Sequence, residues 1–221
     1  MNNFTFVENC KLCKANNLNI VLELSPVPIG DRYVSESDKG KFDQEYPLDI
    51  MMCERCGHYQ NNGYVNPDLI YGHYLSRPAT TNPVLSDIFK EYVNDILKKY
   101  LKKDKIFAVE AGSNDGAFIS YLQEKGSKVL GVEPSDLSKQ ANSHGIPTIN
   151  NYFSFECSES IKNEHGEVDS FIANHTFSNI IDLDDFVKGV KNLLANSGVF
   201  SMQTHYHLDV IEKNLIENFT H

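Results

Sequence analysis

The sequence predicts an α/β fold built on a parallel sheet and preceded by a small β-rich module. Three observations lead to this prediction. From residue 105 onward, apolar runs alternate with helical segments at the spacing of βαβ units. A glycine-containing turn at 112–116 follows the first of these apolar runs. Before residue 60, four of the five cysteines form two Cys-x-x-Cys pairs within a stretch rich in turn residues.

Residues 1–75 are expected to form the small module. Two short apolar stretches, 19–24 and 47–52, predict strands in it. Residues 80–103 predict a helix, because apolar side chains recur at helical spacing and lysines crowd its C-terminal end, where they suit the helix dipole. We expect this helix to dominate a linking segment, 76–104, that leads into the first strand of the sheet.

The two Cys-x-x-Cys pairs are Cys10 with Cys13 and Cys53 with Cys56. Each pair places two thiolates on one tight turn, and two such turns complete a tetrahedral zinc site with four cysteine ligands. Because the protein would supply all four ligands, we expect a closed, structural site. Disulfides or a redox-active pair are the alternatives, which a reducing compartment and the duplication disfavour. His58 is either a competing ligand or a surface histidine.

Residues 105–221 are predicted to form a Rossmann-like domain. Parallel strands joined by right-handed crossovers bring their carboxyl ends to one edge of the sheet, where ligands bind. Polar residues that follow the strands are therefore expected to share that edge. The predicted strands are 105–110, 128–133, 168–174 and 197–204, and the predicted helices are 116–125, 136–144, 155–162 and 183–195.

The run Val109–Gly116, followed by a strand that ends at Glu133, predicts a nucleoside-binding site. Glycines let the backbone approach a ligand, and a carboxylate about twenty residues further on can hold the two hydroxyls of a ribose. The turn lacks the full G-x-G-x-x-G of dinucleotide binders. With Glu110 at the end of its strand, it favours a cationic nucleoside such as S-adenosylmethionine. Methyl transfer is therefore the leading hypothesis.

The candidate donor-site residues follow the predicted strands 105–110, 128–133 and 168–174, and a further group lies near residue 150. Asp115 either contacts the ligand or only caps the following helix. Residues Asn150–Phe153, at the expected end of a further strand between 133 and 155, either flank an adenine or form an ordinary loop with core aromatics. His175 is a general base in principle, although lining the donor pocket is the preferred interpretation. The set is Glu110, Gly112, Ser113, Asn114, Asp115, Gly116, Glu133, Pro134, Ser135, Asn151, Tyr152, Phe153, Asn174 and His175.

Charge and composition narrow the classes of partner. The 20 basic and 30 acidic side chains give a net charge of −10, which disfavours nucleic-acid binding because that needs clustered cations. No apolar run reaches the roughly 18 residues of a membrane span, and the N-terminus lacks a secretory signal, so a cytoplasmic protein is expected. Every arginine precedes the glycine turn. Either the N-terminal third binds an anionic substrate through these arginines, or their positions merely reflect the Lys- and Asn-rich composition.

Taken together, these motifs resemble the zinc-containing sugar C-methyltransferases. The two cysteine pairs, Tyr71–Ser76, Val109–Gly116, Gly131–Ser135 and Ala173–Ser178 carry the resemblance, which covers essentially the whole chain. It implies a class I methyltransferase sheet, S-adenosylmethionine as the methyl donor and a structural Zn²⁺ held by the four cysteines. It also implies C-methylation of a nucleotide-linked keto-deoxysugar, with a base that forms an enolate.

The resemblance supplies further candidate residues. The stretch Tyr71–Ser76 matches one that lies over donor and substrate, which implies donor contacts from Tyr71 and Ser76. The family's Pro-x-Ala-Asn segment appears here as Pro28–Tyr33, so the acceptor contacts are expected to differ. The substrate candidates are Arg32, Tyr33 and Arg77, and the acid–base candidates are Tyr74, His175 and His221.

Family members run to about twice this length, and their sheet has three further strands. Their catalytic Tyr-x-Glu-His falls where this sequence ends, at Phe219–His221. We therefore expect an incomplete methyltransferase domain. One alternative is O- or N-methylation of a small phosphorylated metabolite or sugar, and another is a non-catalytic zinc-containing binding protein. A monomer or a weak dimer is expected.

Overall fold

The computed structural model describes residues 3–30, 35–41, 43–71 and 83–206, together with Asp209, Glu212 and Lys213. The chain divides into two compact units. The N-terminal unit comprises Met1–Leu75, Ile181–Leu183 and His205–His221, and the α/β unit comprises Ser76–Ile180 and Asp184–Thr204. Within the described part of the chain, no helix is both long enough and apolar enough to cross a membrane.

The N-terminal unit contains short antiparallel strands. Strands β2, β3 and β4 form a sheet in that order, and β1 pairs with β5. Strands β2 and β3 correspond to the strands predicted at 19–24 and 47–52. A Cβ added at Gly63 would collide with the ring of Phe4, so the β1–β5 pair requires glycine there. The elements are β1 Phe4–Phe6, β2 Leu18–Leu22, β3 Ile50–Cys53, β4 Tyr59–Asn61, β5 Gly63–Val65 and α1 Pro67–Tyr71.

The α/β unit alternates strands and helices around a five-stranded sheet. All of its strand pairs are parallel, and their order is β10-β9-β6-β7-β8. The elements are α2 Pro83–Asp95, β6 Phe107–Ala111, α3 Ala117–Glu124, β7 Lys128–Val132, α4 Leu137–Ser143, β8 Thr148–Ile149, α5 Phe155–His165, β9 Val168–Asn174, α6 Leu183–Leu193 and β10 Leu194–Gln203.

The strand order places a topological switch point between β6 and β9. The chain leaves β6 toward β7 and β8 and then returns to the opposite side of β6 to form β9 and β10. The connections that follow β6 and β9 therefore run to opposite sides of the sheet, and the carboxyl edge at such a switch point is where sheets of this kind bind ligands. The predicted α/β fold with a parallel sheet and a preceding cysteine-rich region is confirmed.

Both faces of the sheet are covered by apolar cores. Successive side chains of a strand point to opposite faces. Ala108 therefore packs in a cluster with residues of α2, α3 and α4, while Val109 packs in a second cluster with residues of α5 and α6. Every residue of β6 is buried, including Glu110. Glu110 is the one carboxyl group in this otherwise apolar, wholly buried strand, and its position marks the ligand-binding edge.

The last predicted strand begins earlier than the pattern indicates. The sequence predicts a helix to 195 and a strand from 197, whereas α6 ends at Leu193 and β10 starts at Leu194. The pairing of β10 with β9 shifts register between Leu194 and Val199. The polar residues between those two positions lie in this irregularity, so they resemble a turn in sequence although the strand continues through them.

Candidate functional site

The four cysteines of the two Cys-x-x-Cys pairs converge. Their Sγ atoms all lie within 4.8 Å of one another. The separations are 3.7 Å between Cys10 and Cys56 and 3.6 Å between Cys13 and Cys53. Four sulfurs bound tetrahedrally at about 2.3 Å from Zn²⁺ lie ~3.8 Å apart, so the sulfur positions fit that ion. All five cysteines of the chain are free thiols, and His58 is not part of this group.

The two cysteine turns have the same backbone design. The N–H of Lys14 donates to the Cys10 carbonyl at 2.9 Å, and the N–H of Gly57 donates to the Cys53 carbonyl at 2.8 Å. Both donors have a left-handed backbone, with φ of 61° and 73° respectively. Each turn therefore closes four residues after its first cysteine, which leaves both thiols of the pair on one side.

Hydrogen bonding favours the thiolate of Cys53. Burial raises the pKa of this thiol, but N–H groups of Cys56 and Arg55 and the thiols of Cys13 and Cys56 outweigh burial and bring the pKa to about 7. Thiolates are the form that binds metal. At Cys56 the backbone N–H of His58 lowers the pKa, but burial and the neighbouring thiols outweigh it and raise the pKa instead. Within this group the hydrogen bonds between thiols therefore favour the thiolate at Cys53 over that at Cys56.

A buried glutamine supports the first cysteine turn. Gln60, on β4, accepts the Lys11 N–H at 2.8 Å through Oε1 and donates through Nε2 to the Asn9 carbonyl at 3.3 Å. It therefore ties residues on both sides of Cys10 to the sheet that carries Cys53. Nothing in the sequence singles out Gln60, since a polar residue in a short strand has no distinguishing signal.

At the carboxyl edge of the α/β sheet, Glu133 is held by backbone amides from two loops. Its Oε2 accepts the Asn114 N–H at 3.0 Å, and its Oε1 accepts the Ser135 N–H at 2.9 Å. The residue is 7% exposed. Each carboxylate oxygen retains a further lone pair. The carboxylate is thus fixed in orientation and can still accept hydroxyl groups.

The turn after β6 approaches the loop after β9 closely. Gly112 has φ of 69°, and a Cβ added there would collide with Oγ1 of Thr176. Gly116 has φ of 79°, and its added Cβ would lie 2.7 Å from Ile146. Both positions therefore require glycine for two reasons, backbone conformation and space. Oδ1 of Asp115 accepts the N–H of Ala117, the first residue of α3, at 3.2 Å, and the N-cap residue of that helix is Gly116.

Glu110 lies in this edge with few partners. It is 3% exposed, and Nδ2 of Asn174 donates to its Oε1 at 3.4 Å. Burial, with smaller contributions from the charges of Glu133 and Asp115, raises its pKa to about 8. Three buried side-chain atoms of residues at this edge have no hydrogen-bond partner among the described residues: Glu110 Oε2, Ser113 Oγ and Asn174 Oδ1. Such groups are costly unless a ligand or water satisfies them, so they fit a polar, cationic ligand.

The two aromatic side chains after β8 differ in their surroundings. The ring of Phe153 packs against Phe171 at 4.5 Å and Phe186 at 5.2 Å between centroids, within the apolar core. Tyr152 is 40% exposed, and its N–H donates to the Asn151 side chain. Of the predicted pair, Tyr152 is therefore the one whose ring can stack on a ligand.

His175 follows β9 directly and is exposed. It has φ of 52°, and its N–H donates to the Gln203 carbonyl at 2.7 Å, which ties the ends of β9 and β10 together. Tyr71 ends α1 in the N-terminal unit. The other predicted substrate, donor and acid–base residues lie outside the described residues: Arg32, Tyr33, Tyr74, Ser76, Arg77 and His221.

Two family models match the chain. Residues 10–71 match the one described as "Putative zinc binding domain". Residues 85–219, more than half of the chain, match the one described as "Methyltransferase domain". The chain belongs to this methyltransferase family. The predicted enzyme class is thus confirmed, and the four-cysteine group lies within the segment that matches the zinc-binding model.

The methyltransferase has a curated relative that acts on carbon. C-methyltransferase NovU from Streptomyces niveus is 26% identical over 216 residues, which cover 97% of this chain and 51% of NovU. The methyltransferase therefore spans about half the length of this relative.

Solved structures resemble the methyltransferase over part of its length. The PH0226 protein from Pyrococcus horikoshii OT3 is 21% identical with a TM-score of 0.47, over 62% of this chain and 64% of that chain. An S-adenosylmethionine-dependent methyltransferase from Clostridium acetobutylicum ATCC 824 is 19% identical with a TM-score of 0.45, over 57% and 54%. The family assignment rests on the family models.

Proposed function

We propose that this methyltransferase uses S-adenosylmethionine to methylate a carbon atom of a nucleotide-linked keto-deoxysugar. The observation that carries the donor assignment is the pair of buried carboxyl groups, Glu110 and Glu133, on the two sides of the Gly112–Gly116 turn. One is oriented to accept hydroxyl groups, and the other adjoins unpartnered buried polar atoms that suit a cation.

Glu133 is assigned to the ribose. Its two oxygens are fixed by backbone N–H groups and can each accept one hydroxyl of a cis-diol. Glu110, with Ser113 and Asn174, is assigned to the cationic amino-acid portion, directly or through water. When bound, S-adenosylmethionine supplies an electrophilic methyl group on a positively charged sulfur.

The adenine is assigned to the loop after β8. Tyr152 offers an exposed ring face, and Asn151 offers an amide beside it. Phe153 supports this loop through its core contacts with Phe171 and Phe186. Tyr71 and Ser76 remain proposed donor contacts on the basis of the family resemblance alone.

The likeness to NovU supports carbon as the methylated atom. Forming a C–C bond beside a ketone requires a base that removes an α-proton and a donor that stabilises the enolate. His175 is proposed as a base or pocket-lining residue because it follows β9 at the carboxyl edge. Tyr74 and His221 are the other proposed acid–base residues. Arg32, Tyr33 and Arg77 are proposed to bind the anionic acceptor.

Titration calorimetry of the zinc-loaded protein with S-adenosylhomocysteine tests the donor assignment. We expect saturable 1:1 binding that Glu133→Ala weakens by about 10- to 100-fold, because it removes charge-assisted hydrogen bonds. Glu124→Ala, an exposed carboxylate at the end of α3, is the matched control and should bind normally. Absence of binding by the zinc-loaded wild type contradicts the assignment.

Mass spectrometry of the product tests the acceptor assignment. Incubation with a nucleotide-linked keto-deoxysugar and a donor with an isotopically labelled methyl group should place the label on a carbon atom. A label on oxygen or nitrogen would overturn C-methylation and support the O- or N-methylation alternative. Zinc-loaded protein that binds donor without any turnover would support a binding role instead.

A further inference from the structure

We propose that Asn150 is a positioning residue for the donor, which holds the loop after β7 so that Glu133 keeps its orientation toward the ribose. This inference rests on the proposed use of an adenosine-containing donor. Asn150 lies just beyond β8, at the carboxyl edge of the sheet. The residue is exposed, but its side-chain amide is directed at the backbone of the neighbouring strand end.

The amide of Asn150 meets three consecutive backbone carbonyls. Its Nδ2 lies 3.0 Å from the Glu133 carbonyl oxygen, 2.9 Å from that of Pro134 and 3.0 Å from that of Ser135. All three neighbours are acceptors, so the NH2 group of the amide faces them. One side chain therefore gathers the carbonyls of the whole turn that follows β7.

The turn needs such a donor because of its composition and curvature. Three carbonyl oxygens that converge repel one another unless a donor lies between them. Pro134 has no N–H group, which removes one backbone donor from the segment. The N–H of Glu133 is already committed to the Ile149 carbonyl at 2.9 Å. The stabilising donor thus comes from the next strand end, through Asn150.

The same turn orients the Glu133 carboxylate. Ser135 donates its N–H to Glu133 Oε1 while its carbonyl accepts from Asn150. Fixing the peptide groups around Ser135 therefore also fixes one of the two amides that hold the carboxylate. Without the side-chain amide of Asn150, the backbone N–H of Ser135 is free to move. The Glu133 carboxylate then loses the orientation that matches a cis-diol. Asn150 thus acts through Glu133.

Hydrogen exchange of the protein without ligand tests the bracing step. We expect Asn150→Ala to raise the exchange rate of the Ser135 amide about tenfold, with a smaller rise at Asn114. Asn150→Asp should have a larger effect, because a carboxylate would face three carbonyl oxygens. Unchanged protection of Ser135 in both variants would overturn the proposal whether or not the donor assignment is right.

Binding of S-adenosylhomocysteine tests the step through Glu133. Asn150→Ala should weaken binding about tenfold in the wild-type background and less than twofold in a Glu133→Ala background. If Asn150→Ala weakens binding by the same factor in both backgrounds, the positioning role is overturned. Asn192→Ala is the matched control: it removes an asparagine hydrogen bond of 3.0 Å, to Ser158, between α6 and α5. It should lower the melting temperature without changing affinity. If the wild type does not bind, the donor assignment fails, and hydrogen exchange alone decides the bracing role.

Discussion

The metal group of the N-terminal unit and the ligand-binding edge of the α/β unit are built in different ways. In the first, four identical side chains from two similar turns meet at one point. In the second, unlike side chains from loops after β6, β7, β8 and β9 each have their own partners. The metal group is defined by side-chain identity and spacing. The edge is defined by which backbone groups hold each side chain.

Metal removal is expected to have the largest effect on stability, and this effect should be confined to the N-terminal unit. The free energy of a structural Zn²⁺ site, about 10–16 kcal/mol in small zinc domains, is largely folding free energy of the segment that binds it. Chelation should therefore abolish protection from hydrogen exchange in β2, β3 and β4. Strands β6, β7 and β9, which lie between two apolar cores, should stay protected.

Metal stoichiometry provides the matched control for this experiment. Cys53→Ser should lose bound zinc, whereas Cys157→Ser should keep one equivalent. Cys157 is a buried thiol on α5, outside the four-cysteine group. Equal zinc loss in both variants, or equal loss of protection in both units on chelation, would contradict this prediction.

Gly112→Ala is expected to have the next largest effect. A non-glycine residue at φ of 69° is strained by about 1–3 kcal/mol, and the new methyl group would also collide with Thr176. Gly145→Ala is the control, since Gly145 has φ of 80° but no atom within 4 Å of an added Cβ. Urea denaturation should show a greater loss of unfolding free energy for Gly112→Ala than for the control. Equal losses would mean that the two loops do not meet as closely as described.

The raised pKa of Glu110 predicts a pH dependence of folding stability that comes from the ligand-binding edge alone. Burial raises its pKa from 4.5 to about 8, so the folded protein binds a proton that the unfolded chain releases between these values. Stability from this group is complete below about pH 4.5 and declines as the pH rises to about 8, by up to ~1.4 kcal/mol per pH unit.

Glu110→Gln removes this titration while preserving shape. The unfolding free energies of wild type and variant are measured by urea denaturation from pH 5 to 9. The wild type should lose stability relative to the variant up to about pH 8, and the difference should then stay constant. A difference that does not vary with pH would show that Glu110 is ionised in the folded protein.

Gln60→Ala is expected to have the smallest effect. It removes hydrogen bonds to Lys11 and Asn9 and should cost about 1–2 kcal/mol in the N-terminal unit, with a modest loss of zinc affinity. Competition with a chelator measures that affinity. Gln123→Ala, which removes a hydrogen bond to Gly145 in the α/β unit, should leave it unchanged. The same affinity for both variants would mean that Gln60 does not support the first turn.

The two regions also differ in how far sequence predicts them. The cysteine spacing predicts the metal group because each pair is a local turn, and only the approach of the two pairs needs the tertiary fold. The position of Glu133 follows from the length of one βα unit. The partners of Asn150, the core location of Phe153 and the contact of Thr176 with Gly112 depend on packing between distant segments, which no local pattern encodes.

The hydrogen bonds at the sheet edge also imply an order of assembly. The contacts that hold Glu133 join residues 19 and 17 positions apart in the chain, whereas the contact between Asn174 and Glu110 joins residues 64 positions apart. Closing a longer loop costs more entropy, and non-local pairings form more slowly. A nascent chain can therefore complete the part around Glu133 once residue 150 has left the ribosome, before β9 has emerged from it.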